Sequence, residues 1–239
     1  MSDKMWDGAA YGRIADVTSE LDRGVDINVA DGAGWTTLLI AGKEGFAEIA
    51  MLALDRGADV KAVKKGGFNI LHMIAQGLGA SPSRSSMDAF VAVFARAVEL
   101  GAEVDGATSG GQTALYMATA FGQAPLVKIL LDAGADASIA ASNGDTSLYN
   151  AASNADADVV RALMAAGADV NQRNQAGFGP LHGAARSGNV DVCKILVDAG
   201  ADPSHQTSAA AEGLAAGTTP HGAAVHDNKS TTADYLANL

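Results

Sequence analysis

Apolar residues recur along the chain in short groups with helical spacing, and polar, glycine-rich stretches separate the groups. Residues 174–204 show the pattern most clearly, as NQAGFGPLHGAARSGNVDVCKILVDAGADPS. Leu181 and the alanines after it give one short apolar face, and Val190 to Val197 gives a second with 3.6-residue spacing. Pro180 suits the first position of a helix because its missing N–H is not needed there. The pattern predicts a unit of turn, helix, turn, helix and turn.

A glycine that closes this unit recurs through the chain at Gly24, Gly57, Gly101, Gly134, Gly167 and Gly200. The spacings are 33, 44, 33, 33 and 33 residues, so a single insertion of 11 residues interrupts one period. With this period, the phrases GPLHGAA and GADPS resemble the ankyrin repeat. The resemblance covers nearly the whole chain. It implies an all-α ankyrin-repeat solenoid of stacked helix-turn-helix units with projecting hairpin-like turns.

We predict a single domain over residues 1–239, because each unit of a solenoid buries its apolar face on its neighbours. Gly12 and Asn228 take the position between the two helices in the first and last units. The predicted units are an N-terminal cap at 3–30, repeats at 31–62, 63–106, 107–139, 140–172 and 173–205, and a C-terminal cap repeat at 206–239.

Two segments depart from the regular period. Residues 77–86, GLGASPSRSS, have the composition of an exposed loop, so we predict a flexible loop between a helix that ends near Gln76 and one that starts near Met87. Because the stack does not need these residues, we expect that the loop can be cut or shortened with little loss of stability. The second irregularity lies within Gln206 to Gly217, which holds seven extra residues.

The resemblance also assigns structural roles within each repeat. His72 and His182 hold the family's histidine position, where Leu39, Tyr116 and Tyr149 stand in other repeats. In the two tyrosine repeats, the hydrogen bond to the neighbouring loop would pass to a phenol. The closing phrases carry aspartates, which we expect to bind turn amides; they are Asp59, Asp136, Asp169 and Asp202.

Composition agrees with thin, closely stacked helices, since 48% of residues are hydrophobic but only 5% are aromatic. The net charge is −11, and residues 101–239 carry 14 acidic against 6 basic side chains. Such a surface repels phosphate backbones, which excludes nucleic acid as an expected partner and favours a basic protein surface. The alternative is that the acidic residues only keep an alanine-rich protein in solution.

The single cysteine, Cys193, excludes an internal disulfide framework and is interpreted as a buried structural thiol. No apolar run reaches the ~18 residues of a membrane span, and the N-terminal residues have no signal-peptide pattern. We therefore expect a cytoplasmic protein, with the nucleus as the alternative, that is monomeric on its own and does not insert into membranes.

Sequence motifs for catalysis, nucleotide binding and metal binding are missing from the chain. His221 and His226 are five residues apart, which is a poor spacing for one helix face, and no cysteine lies near them in sequence. The sequence therefore predicts neither an enzyme nor a cofactor or metal.

Function must then come from the surface. In ankyrin-like proteins the turns and first helices line a concave groove that binds other proteins. The matching positions here, interpreted as the protein-binding residues, are Trp35, Lys43, Phe68, Gln112, Phe121, Asp145, Asn154, Phe178 and Arg186. Four of these are large aromatic residues, the type that anchors interfaces. The alternative is that each ring packs sideways on the adjacent turn.

The leading hypothesis is a non-catalytic scaffold or adaptor that binds a protein partner through this groove. The alternative is an inhibitor or assembly subunit whose acidic C-terminal repeats cover a basic surface of an enzyme or a nucleic-acid-binding protein. The sequence does not identify the partner.

Overall fold

Pairs of α-helices joined by glycine-containing turns make up the described chain, which is residues 3–80 and 86–239 of a computed structural model. Those residues contain fourteen α-helices and no β-strand. The fold is the all-α repeat that the sequence predicted. The chain divides into two compact units, Met1–Ser109 and Gly110–Leu239. The grouping of all repeats into a single domain stays a prediction.

The described residues of the unit Met1–Ser109 form three helix pairs. They are α1 (Asp3–Tyr11) with α2 (Ile14–Asp22), α3 (Thr37–Glu44) with α4 (Ala47–Asp55), and α5 (Ile70–Ala80) with α6 (Met87–Glu99). First helices pack on first helices, α1 on α3 and α3 on α5, while α2 packs on α4 and α4 on α6. Each pair therefore buries its apolar face on the next one.

The unit Gly110–Leu239 forms four further pairs. They are α7 (Ala114–Ala120) with α8 (Ala124–Asp132), α9 (Ser147–Ser153) with α10 (Ala157–Ala165), α11 (Pro180–Ser187) with α12 (Val190–Asp198), and α13 (Pro220–His226) with α14 (Ser230–Ala237). The first helices stack in the order α7, α9, α11, α13, and the second helices in the order α8, α10, α12, α14. Pro180 begins α11, as predicted.

Threonine side chains start four of the first helices by accepting a backbone N–H from three residues further on; they are Thr36, Thr113, Thr146 and Thr219. An N-cap of this kind is worth about 1 kcal/mol. Helix α11 has Gly179 at this position instead. There, Nδ1 of His182 accepts the Gly179 N–H at 3.3 Å, and Nε2 of the same ring lies 3.2 Å from the carbonyl oxygen of Thr218 in the next turn.

All six closing glycines have left-handed backbone angles, with φ between +82° and +93°. A side chain at such an angle is strained, so glycine is the residue that ends these helices at lowest cost. Asn228 has φ +57° between α13 and α14, which confirms its predicted position. Ala155 takes the same position between α9 and α10 with φ +60°.

The aspartates of the closing phrases hold the turns that follow. Each accepts the backbone N–H two residues on at 2.8 to 2.9 Å; they are Asp59, Asp136, Asp169 and Asp202. Hydrogen bonds from Ser138 and Ser204 lower the pKa of the Asp136 and Asp202 carboxyls. The prediction that these carboxylates bind turn amides is confirmed.

Small aliphatic side chains fill the space between the stacked pairs, as the composition indicated. Cys193 lies on α12 with no exposed surface. Burial raises the pKa of its thiol to about 12, so the thiolate is scarce at neutral pH. The prediction of a buried structural thiol is confirmed. None of the helices in residues 3–80 and 86–239 has the length and apolar character that crossing a membrane requires.

The predicted loop at residues 77–86 is wrong at its start. Helix α5 continues to Ala80, so residues 77–80 are helical, and Gly77 and Leu78 are buried. Residues 81–85 lie outside the described residues. Ser86 caps α6 by accepting the N–H of Ala89. The physical reason for the longer helix is that Leu78 adds a buried apolar side chain one turn beyond Ile74.

The extra residues within Gln206 to Gly217 form an ordered segment between α12 and α13. Thr207 and Gly217 close its base, because the Thr207 N–H donates to the carbonyl oxygen of Thr218 and the Gly217 N–H donates to that of Thr207. Ala211 and Leu214 form a small antiparallel bridge at its tip. We call residues 206–217 the C-terminal strap.

Candidate functional site

Two aromatic rings lie on the turns of successive repeats in the unit Met1–Ser109, and lysine ammonium groups lie over their faces. Trp35 and Phe68 are both partly exposed. Nζ of Lys64 is 4.9 Å from the centre of the Trp35 ring and 4.1 Å from that of Phe68. Nζ of Lys43 is 5.3 Å from the Trp35 ring. These are cation–π distances, and we call the four residues the lysine–aromatic face.

Backbone hydrogen bonds fix the turns that carry this face. The carboxylate of Asp31 accepts the N–H groups of Ala33 and Trp35 at 2.8 and 2.9 Å. In the next turn, the Lys64 N–H donates to the carbonyl oxygen of Phe68 at 3.1 Å. The Lys65 N–H donates to the carbonyl oxygen of Ala33 at 2.7 Å, which ties the two turns together. The turns that carry the two rings are therefore fixed by hydrogen bonds.

A recess of about 230 Å³ opens beside the face, lined by Trp6, Trp35, Ile40 and Lys43 among others. The predicted site residues Trp35, Lys43 and Phe68 thus lie together in the first unit. Lys64 belongs with them, although the sequence interpretation left it out. The available signal in the sequence was that Lys64 is the first of two adjacent lysines on the turn that leads to Phe68.

Phe178 was expected to be exposed, and that expectation is wrong. Its side chain is 1% exposed and forms a buried cluster with Tyr149, Leu214 and Ala223. The ring also meets the ring of His182 edge to face, with centres 5.5 Å apart. The physical reason is the C-terminal strap, which places Leu214 over the ring. Phe178 is therefore structural in this conformation.

The strap also brings a carboxylate to Arg186, another predicted site residue. Glu212 pairs with the Arg186 guanidinium and accepts the Tyr149 hydroxyl at 2.9 Å. On the other side, Nε of Arg186 donates to Asp227 at 3.0 Å. Asn150 and Ser153 line the adjoining recess of about 430 Å³ together with these groups.

The electrostatics of this cluster follow from its partial burial. Burial, reinforced by the Glu212 charge, raises the pKa of the Tyr149 hydroxyl far above its usual range. Burial alone would lower the pKa of Arg186, but the hydrogen bond to Asp227 and the two carboxylate charges outweigh it and raise that pKa. Tyr149 therefore stays protonated and Arg186 charged, so the pair can donate to one carboxylate together. The Tyr149 phenol therefore forms a hydrogen bond, but to the Glu212 carboxylate of the C-terminal strap and not to the neighbouring loop, where the sequence interpretation expected it.

The remaining predicted site residues lie in the unit Gly110–Leu239 and differ in exposure and in hydrogen bonding. Phe121 follows α7 and is 51% exposed. Asp145 accepts the Nδ2 groups of Asn143 and Asn174, and Nδ2 of Asn154 donates to the carbonyl oxygen of Thr119 at 2.7 Å. Asp145 and Asn154 thus contribute to the structure of the turns. Gln112 is half-buried on its turn.

A recess that the sequence interpretation did not consider lies between the second helices α8 and α10. It measures about 690 Å³ and is lined by Pro125, Leu131, Val159 and Ala162, with Lys128 and Asp158 among its charged residues. The sequence interpretation examined only the turns and first helices. This surface of the second helices was therefore not considered as a site.

Two further histidines, His205 and His226, make contacts at a turn and at a helix end. Nε2 of His205 lies 3.1 Å from the carbonyl oxygen of Gly177, and the rings of His182 and His205 meet edge to face at 5.8 Å. His226 contacts the neighbouring Asp227 at 2.6 Å. Within the part of the chain that the structure describes, no group of three or more His, Cys, Asp or Glu side chains could hold a metal ion.

The repeats of this chain are similar to those of a known protein family. The family model for Ankyrin repeats (3 copies) matches residues 92–174 and 115–207. These residues run from within α6 to the start of the C-terminal strap. A search of curated proteins found no match.

Proposed function

This chain belongs to the ankyrin-repeat family through residues 92–207, and we propose that it is a non-catalytic scaffold or adaptor that binds a protein partner through its turns and first helices. Ankyrin repeats are generally protein–protein interaction modules, and proteins built from them are typically binding scaffolds without enzymatic activity. The family gives the class of function, and the surface residues of this chain must give the binding site.

The observation that carries the proposal is the lysine–aromatic face. Trp35 and Phe68 present large rings that solvent can reach, on turns that backbone hydrogen bonds hold in place. Aromatic residues are enriched at the centres of protein interfaces, because they bury much apolar area while losing little conformational freedom. The lysines over the rings supply hydrogen-bond donors at the edge of the same surface. Phe121 and Arg186 are proposed contact residues in the second unit.

Capture of partners with variant proteins tests the proposal. The tagged chain would be compared with Trp35→Ala and with a control, Tyr11→Ala, in lysate of the source cell. Tyr11 is a suitable control because its ring is 69% exposed and carries the Arg13 guanidinium at 5.2 Å, yet it lies outside the face. We expect one protein to be retained by wild type and Tyr11→Ala and lost by Trp35→Ala.

The retained protein would then be purified and its affinity measured by calorimetry. Removal of a central aromatic anchor costs about 2 kcal/mol or more in binding. Circular dichroism must show that Trp35→Ala is folded. A partner that binds Trp35→Ala and Phe68→Ala as tightly as wild type would contradict the assignment of the face.

The second candidate function is an inhibitor or assembly subunit that covers a basic surface. It is favoured by the 14 acidic and 6 basic side chains of residues 101–239. Salt distinguishes the two candidates, since the screening length falls from about 8 Å at 0.15 M to about 3 Å at 1 M ionic strength. Binding through exposed carboxylates weakens strongly over that range, whereas binding through the aromatic rings is largely retained.

A further inference from the structure

The C-terminal strap occupies a surface that other repeats leave open. Phe178 has the same register position as Trp35 and Phe68, which are partly exposed, whereas Phe178 is covered by Leu214. Ala176 and Ala211 complete the contact at its margin. The strap therefore fills, within the same chain, an aromatic site of the kind that binds partners in the proposed function.

The polar contacts of the strap are like those between a protein and a bound ligand, because side chains of separate helices bind one strap residue. Glu212 receives hydrogen bonds from the Tyr149 hydroxyl on α9 and from the Arg186 guanidinium on α11. Two donors from two separate helices thus converge on one carboxylate, an arrangement suited to recognising a carboxylate. A recess of about 430 Å³, with Asn150 and Ser153 in its wall, continues from this point. Nδ2 of Asn150 is buried there without a hydrogen-bond partner among the described residues.

The strap is held in a conformation that local sequence does not favour. Glu212 has φ +54°, in the left-handed region that a residue with a side chain adopts only at a cost. Most of its neighbours are alanines with exposed side chains, which bury little apolar surface to offset this cost; they are Ala209, Ala210, Ala215 and Ala216. Beyond its base, the strap is attached to the repeats by Leu214 and Glu212 and by the Ser208 and Ala209 N–H groups, which donate to the carbonyl oxygen of Ala176. A segment with so few attachments opens locally more easily than the helices beneath it.

We propose that the strap is an internal ligand: the groove around Phe178, Tyr149 and Arg186 binds a partner peptide with an acidic residue followed two positions later by an aliphatic one, in place of Glu212 and Leu214. The inference rests on the proposed function and names the chemistry of one partner segment. The acidic residue pairs with Arg186 and Tyr149, and the aliphatic residue covers Phe178. The closed strap lowers the apparent affinity, because only the fraction of molecules in which the strap is detached can bind the partner peptide.

The test uses a fluorescein-labelled synthetic peptide with the sequence of residues 206–217, QTSAAAEGLAAG. Its fluorescence anisotropy would be measured against wild type and against an opened variant, Glu212→Ala with Leu214→Ala. We expect the opened variant to bind this peptide at least about tenfold more tightly than wild type, because its own strap no longer competes. The matched control protein carries Ala215→Ser with Ala216→Ser, two exposed positions in the same segment, and should behave as wild type.

Two further controls examine the recognition chemistry. A peptide with Gln for the glutamate and Ala for the leucine should bind the opened variant about tenfold more weakly. Arg186→Ala added to the opened variant should weaken binding of the original peptide to a similar extent. Equal binding of the two peptides, or no gain in the opened variant, would overturn the proposal.

A second measurement keeps the proposal testable if the opened variant does not fold. Hydrogen exchange of the wild type reports the amides of Ala211 and Leu214, which hydrogen-bond to each other's carbonyl oxygens. We expect them to exchange well before the amides of α9 and α11. Exchange only together with those helices would overturn the idea of a detachable strap. Failure here leaves the proposed function intact, because that function is tested separately by Trp35→Ala.

Discussion

At the scale of single residues, Phe178 and Phe121 show how the same side chain serves opposite roles. Phe178 is 1% exposed and Phe121 is 51% exposed, within the same unit. We expect Phe178→Ala to lower the free energy of unfolding by about 3–5 kcal/mol, since it empties the space beneath Leu214. Phe121→Ala is the matched control and should change it by no more than about 0.5 kcal/mol. Urea denaturation followed by circular dichroism measures both.

The outcome separates structure from binding. If Phe178→Ala were as stable as wild type, the ring would not be part of the core and the contact with the strap would have to be loose in solution. If Phe121→Ala were strongly destabilised, its ring would be packed and could not serve as an exposed contact.

His182 predicts how stability depends on pH. Burial lowers the pKa of this histidine to about 4, while the nearby His205 and Arg173 also disfavour its charge. Protonation would place a hydrogen on Nδ1, which accepts the Gly179 N–H. The unfolded chain, with a histidine pKa near 6.5, therefore binds more protons between pH 6.5 and 4. Stability is fully present above about pH 6.5 and falls by about 2–3 kcal/mol as the pH drops to 4.

Urea midpoints at several pH values in this window check the prediction. His182→Gln should remove most of the slope, whereas His221→Gln should retain it. Carboxylates with lowered pKa values, such as Asp136 and Asp227, lose their contribution as pH falls below their unfolded value near 3.8, so they act below the window. A slope that is unchanged in His182→Gln would show that another group is responsible.

At the scale of elements, α5 depends on a close helix contact that the sequence pattern did not show. A Cβ added at Gly77 would lie 2.7 Å from the carbonyl oxygen of Lys43 and would also meet that of Gly42. Helix α5 therefore approaches the end of α3 through a residue without a side chain. We expect Gly77→Ala to lower the free energy of unfolding by about 1–3 kcal/mol, as overpacking does.

A control glycine sharpens this test. Gly222 lies in α13, where an added Cβ would meet the end of a side chain, the Thr218 methyl group at 3.3 Å, and no backbone of another element. Gly222→Ala should change the free energy of unfolding by no more than about 1 kcal/mol, because the helix propensity of alanine offsets the small shift of the Thr218 methyl group. If both substitutions stabilised the protein, α5 would not contact α3 this closely. Because Gly77 lies in the contact with α3, truncation that begins at Gly77 is expected to be costly, in contrast to the sequence prediction for a loop at 77–86.

At the scale of the whole molecule, the prediction of a single domain concerns whether the chain unfolds as one cooperative unit or as two. Both tryptophans, Trp6 and Trp35, lie in the unit Met1–Ser109, while circular dichroism at 222 nm reports helices of both units. The 33-residue spacing from Gly101 to Gly134 is uninterrupted, so we expect a single domain in which the tryptophan fluorescence and the dichroism change at the same urea concentration. Two separated transitions would show that the units unfold independently.

Much of this protein follows from the sequence alone. The period of the closing glycines predicted the helix pairs, because a left-handed helix end is a local requirement that glycine meets at lowest cost. The turn-binding role of aspartates such as Asp59 was predictable for the same reason, since donor and acceptor are two residues apart. The interior position of Cys193 followed from the helical spacing of its apolar neighbours.

Only the tertiary structure decided which surface residues are free. Trp35, Phe68 and Phe178 had equal standing as predicted site residues, because exposure at a turn depends on which distant segments cover it. The strap covers Phe178 with Leu214, which is 36 residues away, and brings Glu212 to Tyr149, 63 residues away. The end of α5 was hidden likewise, because Gly77 contacts a neighbouring repeat. Local rules fix each helix and turn, whereas contacts between distant segments decide which of the resulting surfaces remain available to a partner.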